Sequence, residues 1–193
     1  MTNRVAEYAI DELFLNRWSP RAMSGEPISD QELMSLFEAA RWAPSSFNNQ
    51  PWRFIYAKRD TIYWDRMFHL LIPFNQEWCQ HAAVLMVVIS RNNFALNDKP
   101  TRTHSFDTGA AWENLALQGS LKGLVVHGME GFDYDRAKKE LQIPDTEYTV
   151  EAMIVIGRPG NKEQLPQELQ EREFPSGRNP VGSFAFEGLF KAS

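Results

Sequence analysis

Apolar and polar positions alternate along this chain with two distinct periods, and the change from one to the other marks out its elements. From Val5 to Asn16, with Tyr8, Leu13 and Leu15 among the apolar members, the pattern reads as a helix. Ser29-Asp30-Gln31-Glu32 has the form of a capping box, in which Ser29 caps the first turn and Glu32 reaches back. Leu33, Leu36, Phe37 and Ala40 follow at helical spacing, predicting one buried stripe that Pro44 terminates. Trp52 to Lys58 predicts a strand, and Thr61 to Leu71 a weaker helix. Ala82 to Ser90 is too continuously apolar for a half-exposed strand and predicts a central one, covered on both faces.

A polar loop from Arg91 to Thr103 leads to a long helix over about Ser105 to Lys122, whose small residues Gly109, Ala110, Ala111 and Ala116 permit close packing. Gly123 is placed to cap its C-terminus. Leu124 to His127 predicts a short strand and Gly128 to Gly131 a turn. Asp133 can cap a helix running to Leu141, and Tyr148 to Ile156 predicts the last strand, broken at Gly157-Arg158-Pro159-Gly160. The remainder, Asn161 to Ser193, has little periodicity. The chain therefore reads as one α+β domain over residues 1–160, with 161–193 as an extended C-terminal arm of the same domain that either packs on a second subunit or is mobile.

The 193 residues are enough for a domain that buries roughly 70% of its unfolded surface. A net charge of −5 disfavours a nucleic-acid partner, because phosphate backbones require a basic face. The longest apolar run, Ala82 to Ile89, is far short of the ~20 residues that cross a bilayer, so no membrane partner is expected. The N-terminus lacks the apolar core of a signal peptide. Cys79 is the only cysteine, which fits a reducing, cytoplasmic compartment and a packing role for the thiol.

Candidate chemistry concentrates in three stretches. Pro44-Ser45-Ser46-Phe47-Asn48-Asn49-Gln50-Pro51-Trp52 sets two hydroxyls and three carboxamides between two prolines. Such groups donate and accept hydrogen bonds without charge, equipment suited to a flat, polar heterocycle. Arg17-Trp18-Ser19-Pro20-Arg21 puts two guanidinium groups around a hydroxyl, a set able to surround one phosphate. Arg178 is a third arginine, in the irregular tail. No G-x-G-x-x-G fingerprint, phosphate loop or G-x-S-x-G elbow is present. His69, His81, His104 and His127 lack metal-ligand spacing and read as structural or surface residues, with His127 the least settled because it abuts a glycine turn.

Taken together, Arg17-x-Ser19-x-Arg21, Ala43-Pro44-Ser45-Ser46-x-Asn48-x-Gln50-Pro51-Trp52 and Gly128-Met129-Glu130-Gly131-Phe132-Asp133 resemble the FMN-dependent nitroreductase family, over about Asn16 to Gly160. The resemblance implies a three-layer α/β/α sandwich with a mixed, mostly antiparallel sheet, in an intertwined homodimer holding FMN at the subunit interface. It implies that Arg17, Trp18, Ser19, Arg21 and Arg178 lie at the phosphate end. Pro44, Ser45, Ser46 and Asn48 would approach flavin from the partner chain, Gln50 would support the same loop or touch the ring directly, and Asn75 would meet the pyrimidine edge. Gly128, Met129, Glu130 and Gly131 would lie by the ring. Trp18 stands where many relatives carry Arg or His, and Ser176 where some place Lys. NADH or NADPH would reduce the flavin, which would then reduce a nitroaromatic, quinone or similar small-molecule acceptor. Because the flavin carries the chemistry, no side chain is assigned as catalytic and no metal is expected. A flavin carrier or sensor without turnover, or a related flavin reaction such as enal reduction or reductive dehalogenation, would use the same contacts.

Overall fold

The structure, a computed structural model, describes residues 4–191. Four strands form one sheet in the order β1 (Trp52–Lys58), β2 (Val84–Arg91), β4 (Tyr148–Gly157), β3 (Val125–Met129). All three pairings are antiparallel, so among the described residues no parallel pair completes the mixed sheet. The continuous apolar run does form an interior strand: β2 is buried from Val84 to Ser90.

Alternation along β2 divides the core in two. Leu85, Val87 and Ile89 face one side, packing with Met67, Leu70, Trp78, Cys79 and Leu169. Val84, Met86 and Val88 face the other, against Leu33, Leu36 and Ala40 of α2 (Asp30–Arg41) and Ala111, Leu115 and Ala116 of α5 (His104–Leu121). Helices thus cover both faces, and the expected three-layer sandwich is present. Cys79 is wholly buried in the first layer, where burial pushes its thiol up.

Local signals account for several element ends. Ser29 accepts from the Glu32 backbone while Glu32 accepts from the Ser29 backbone, completing the capping box of α2. Gly123, at φ +67°, closes α5. Its N–H donates to Ser120 and that of Leu124 to Gly119, the paired bonds of a Schellman cap. Asp133 caps α6 (Tyr134–Glu140) by accepting from Arg136 N–H.

Three expectations change. The first helix, α1, covers only Glu12–Asn16, because the Asp11 carboxylate accepts from Leu13 N–H and starts it there. Val5, Tyr8 and Ile10 remain exposed, with no core beneath them to reward a helix. The single stretch expected over Thr61–Leu71 is instead α3 (Trp64–Phe68), followed by a helix the pattern missed, α4 (Pro73–Cys79), which begins on a proline. Gly128 and Met129 belong to β3 rather than to a turn, since they pair with Ile154 and Met153.

The arm keeps partial contact with its own chain. Leu165, and Leu169 of the short helix α7 (Gln167–Gln170), are buried in the core. Beyond them, Phe184, Leu189 and Phe190 are exposed, and Val181 N–H donates to Glu7 of the N-terminal segment. No helix among the described residues is long and apolar enough to cross a membrane.

Packing of α5 on β3 relies on a missing side chain. A Cβ on Gly119 would stand 2.4 Å from Val126 Cγ2. Gly119→Ala gains about 1 kcal/mol of helix propensity but overpacks a stiff, β-branched contact at about 1–3 kcal/mol. A net loss of stability is expected by urea unfolding, partly recovered when Val126→Ala is added. A Gly119→Ala variant more stable than wild type would contradict this packing.

Candidate functional site

At the C-terminal end of α1 the chain turns outward, and Arg17, Trp18, Ser19 and Arg21 come to one side of β3. With Arg178, they line a cavity of about 240 Å³. Arg4, His127, Arg172, Phe174 and Ser176 complete its wall, so it is lined by five arginines and by no carboxylate. Arg17 Nη1 donates to Ser19 Oγ at 3.3 Å, and its Nε lies 3.7 Å from Glu113 of α5. Arg21 stands over the Trp78 ring and 3.8 Å from the buried Glu173 carboxylate. Arg4 and Arg178 have no carboxylate partner among the described residues. Arg4 donates to the carbonyls of Leu15, Arg17 and Ser176, and Arg178 to Ser176 and Gly177. Burial, and then the neighbouring charges of Arg178 and Arg17, hold the Arg4 guanidinium below its usual pKa.

Two residues that sequence reading did not select set this geometry. Glu173 accepts from the backbone N–H groups of Arg21 and Ala22 at 2.7 and 2.8 Å, clamping the segment from behind. His127 of β3 lies 2.9 Å, through Nδ1, from the Pro20 carbonyl and packs on Trp78. A carbonyl only accepts, so Nδ1 carries the proton and donates. Burial first, partly opposed by that bond, and then the charges of Arg21 and Arg17, push His127 down to about 4. Neither residue has a spacing signal, because each acts across more than a hundred positions of chain.

Gly128, Met129 and Glu130 line a second cavity, of about 480 Å³, on the α5 side of the same strand. Gly128 is held close to Trp112, where a Cβ would meet the indole at 3.2 Å. Gly131 packs against Asn75, whose Nδ2 donates to the Gly131 carbonyl at 2.9 Å. Asn75 Oδ1 accepts from Trp78 Nε1, so this buried carboxamide braces the 128–131 segment from behind and lines neither cavity.

The Pro44–Gln50 loop lies apart from both cavities, against the N-terminal end of α5. Ser46 N–H donates to Asp107, Ser45 Oγ accepts from Gln50 N–H, and Gln50 Nε2 donates to the Asn48 carbonyl. Phe47, Asn48 and Gln50 all have positive φ, at 51°, 54° and 50°. Non-glycine residues adopt this region at a cost, and strain of this kind clusters where a loop serves a ligand or a partner. Phe47 is 93% exposed. One chain therefore unites the arginine and Gly128–Gly131 groups along β3 but leaves the serine–asparagine loop elsewhere.

The fold is thus a three-layer sandwich with an arginine-lined cavity beside its edge strand β3. The Nitroreductase family model matches residues 15–70, which contain Arg17 to Arg21 and the Pro44–Trp52 loop. A solved oxidoreductase containing FMN is 47% identical, aligns over 100% of both chains and superposes with a TM-score of 0.94. A candidate nitroreductase from Desulfovibrio desulfuricans, solved in complex with FMN, shares the fold at a TM-score of 0.72 and 22% identity, over 93% of this chain and 96% of that one. A candidate NADH dehydrogenase/NAD(P)H nitroreductase of Polynucleobacter asymbioticus is 23% identical over 87% of this chain and 94% of its own. The chain belongs to the nitroreductase family.

The neutral state of His127 has a measurable consequence. Between pH 6.5 and 4 the unfolded chain binds a proton at this site that the folded chain refuses. Stability must therefore fall as pH is lowered through that window, by on the order of 3 kcal/mol at most. His127→Gln removes this titration, and the difference between its pH–stability curve and that of wild type reports it. Equal slopes between pH 6.5 and 4 would show that His127 is protonated in the fold.

Proposed function

We propose that this protein is an FMN-dependent oxidoreductase that takes hydride from NADH or NADPH and reduces a nitroaromatic, quinone or similar conjugated acceptor by a ping-pong cycle. The observation that carries this reading is the arginine-lined cavity: Arg4 and Arg178 lack counter-charges, and a phosphate dianion is the group that relieves them. The 47% identity to an FMN-containing oxidoreductase supports it.

When bound, FMN supplies the two-electron chemistry. Arg17, Ser19, Arg21 and Arg178 hold the phosphate, with Trp18 as the adjoining wall. Gly128, Met129, Glu130 and Gly131 present backbone to the ring, and Asn75 supports them through its bond to Gly131 rather than from a cavity wall. Pro44, Ser45, Ser46, Asn48 and Gln50 serve the site of a second copy, since within one chain they line neither cavity. The homodimer follows from that half-site, and the exposed apolar residues of the 161–193 arm suit it to packing on the partner subunit. A cytoplasmic location accords with the buried, unpaired thiol.

The protein purified without added cofactor is expected to be yellow, to bleach anaerobically with NADH or NADPH, and to regain colour when a nitroaromatic is added. A colourless protein that takes up no FMN would end the reading. Arg21→Ala and Arg178→Ala should each weaken FMN binding by roughly ten- to a hundred-fold, the loss of one charge-assisted contact. Sedimentation of the FMN-loaded protein as a dimer is expected; a monomer would refute the shared site.

A further inference from the structure

Between Ser46 and Asn48, in the loop given above to a second copy's flavin, one large side chain has no task assigned to it. Phe47 is 93% exposed and its backbone is held at φ 51°. An aromatic residue turned outward in the left-handed region costs free energy twice, as backbone strain and as apolar surface left in water. Hydrogen bonds on both sides keep it there: Ser46 N–H donates to Asp107, and Gln50 N–H to Ser45 Oγ. Strain that the surroundings enforce in this way clusters where a loop meets a ligand. From Pro44 to Pro51 the loop carries no charged side chain, so what it presents is shape, amide groups and one aromatic ring.

A second element steadies that ring. Residues 93–100 close into a small hairpin, in which Phe94 N–H donates to the Lys99 carbonyl at 2.8 Å and Asn93 bridges to Pro100. Two bonds tie the hairpin to the loop. Ala95 N–H donates to Asn49 Oδ1 at 2.9 Å, and Arg91 N–H, at the hairpin base, donates to the Pro51 carbonyl at 2.9 Å. The rings of Phe47 and Phe94 then meet edge to face, with centroids 5.8 Å apart and planes at 89°. Such a contact fixes the tilt of Phe47 and covers at most one of its faces. The other face stays open, and Leu96 of the same hairpin is likewise exposed.

Resting on the reading that the Pro44–Gln50 loop serves a second copy's flavin site, we propose that Phe47 is the wall of that site on which the electron acceptor stacks, selecting flat conjugated rings over puckered ones of the same polarity. A planar ring lies against the open face of Phe47 over its whole area, whereas a saturated ring touches it only at projecting hydrogens. Phe47 is the residue that meets the acceptor. Phe94 is a positioning residue that acts through it. The selectivity then belongs to the pair of subunits, since one supplies the arginine cavity and the other the aromatic wall.

The test uses the oxidised, FMN-loaded enzyme without nicotinamide, so that nothing turns over. Benzamide and cyclohexanecarboxamide, which share a polar group and differ in ring planarity, are titrated against the flavin absorbance. Phe47→Leu keeps apolar bulk but removes the ring, and should lower the benzamide-to-cyclohexanecarboxamide affinity ratio about five-fold, the size of one aromatic pair contact. Phe47→Trp should preserve the ratio, and Phe94→Ala should lower it about two-fold, by releasing the tilt of Phe47. A loosened loop would weaken both probes alike and leave the ratio unmoved. In the protein without cofactor, amide exchange at Ala95 should quicken in Asn49→Ala, and an unchanged rate overturns the positioning role of the hairpin. Visible spectra and sedimentation of each sample give FMN content and subunit number independently. A wild type that holds no FMN, or is a monomer when loaded, sinks the flavin reading and this proposal together. An FMN-loaded dimer whose ratio ignores Phe47→Leu overturns this proposal alone, because Phe47 would then be a subunit contact only.

Discussion

Like charges gathered in a partly buried cleft repel one another, and the arginine cavity is built around that repulsion. Five guanidinium groups converge beside β3, each unable to lose its proton in a folded protein. The fold offsets only part of this. Glu113 and Glu173 stand by Arg17 and Arg21, and Glu168 pairs with Arg172, while Arg4 and Arg178 are left to backbone carbonyls and a hydroxyl. His127 is kept neutral so that it adds no further charge. What remains is a cavity with an unbalanced positive charge along its wall.

That architecture begins with the sheet. β3 is an edge strand whose alternate residues face opposite layers, so His127 points to the arginines and Gly128 to Trp112 of α5. A single short strand thereby borders both cavities. The Asn75–Gly131 bond and the Glu173 clamp fix the segments at either end.

Much of the scaffold was legible in the sequence because it rests on short-range rules. The capping box at Ser29, the glycine cap at Gly123 and the apolar run of β2 each occupy neighbouring residues, and each formed where expected. The failures were also local conflicts. Apolar residues at Val5, Tyr8 and Ile10 suggested a helix, but Asp11 starts one later and no core lies beneath them. Within the site, Arg17, Ser19 and Arg21 were visible through their spacing. Arg4, Arg172, Glu173 and His127 were not, because each reaches the arginine cavity or its backing through tertiary contacts that leave no periodic trace. The Pro44–Gln50 loop shows a different limit. Its composition suggested ligand chemistry, yet it lines neither the arginine cavity nor the one beside Gly128.

The charge deficit at the arginines is best measured by comparing two ligands that differ only by the phosphate. Equilibrium binding of FMN and riboflavin to the cofactor-free protein, in low salt, isolates that group. FMN is expected to bind at least a hundred-fold more tightly, with the gap closing substantially in Arg21→Ala and Arg178→Ala. Equal affinities for FMN and riboflavin would contradict the account, because the arginines would then have some other purpose.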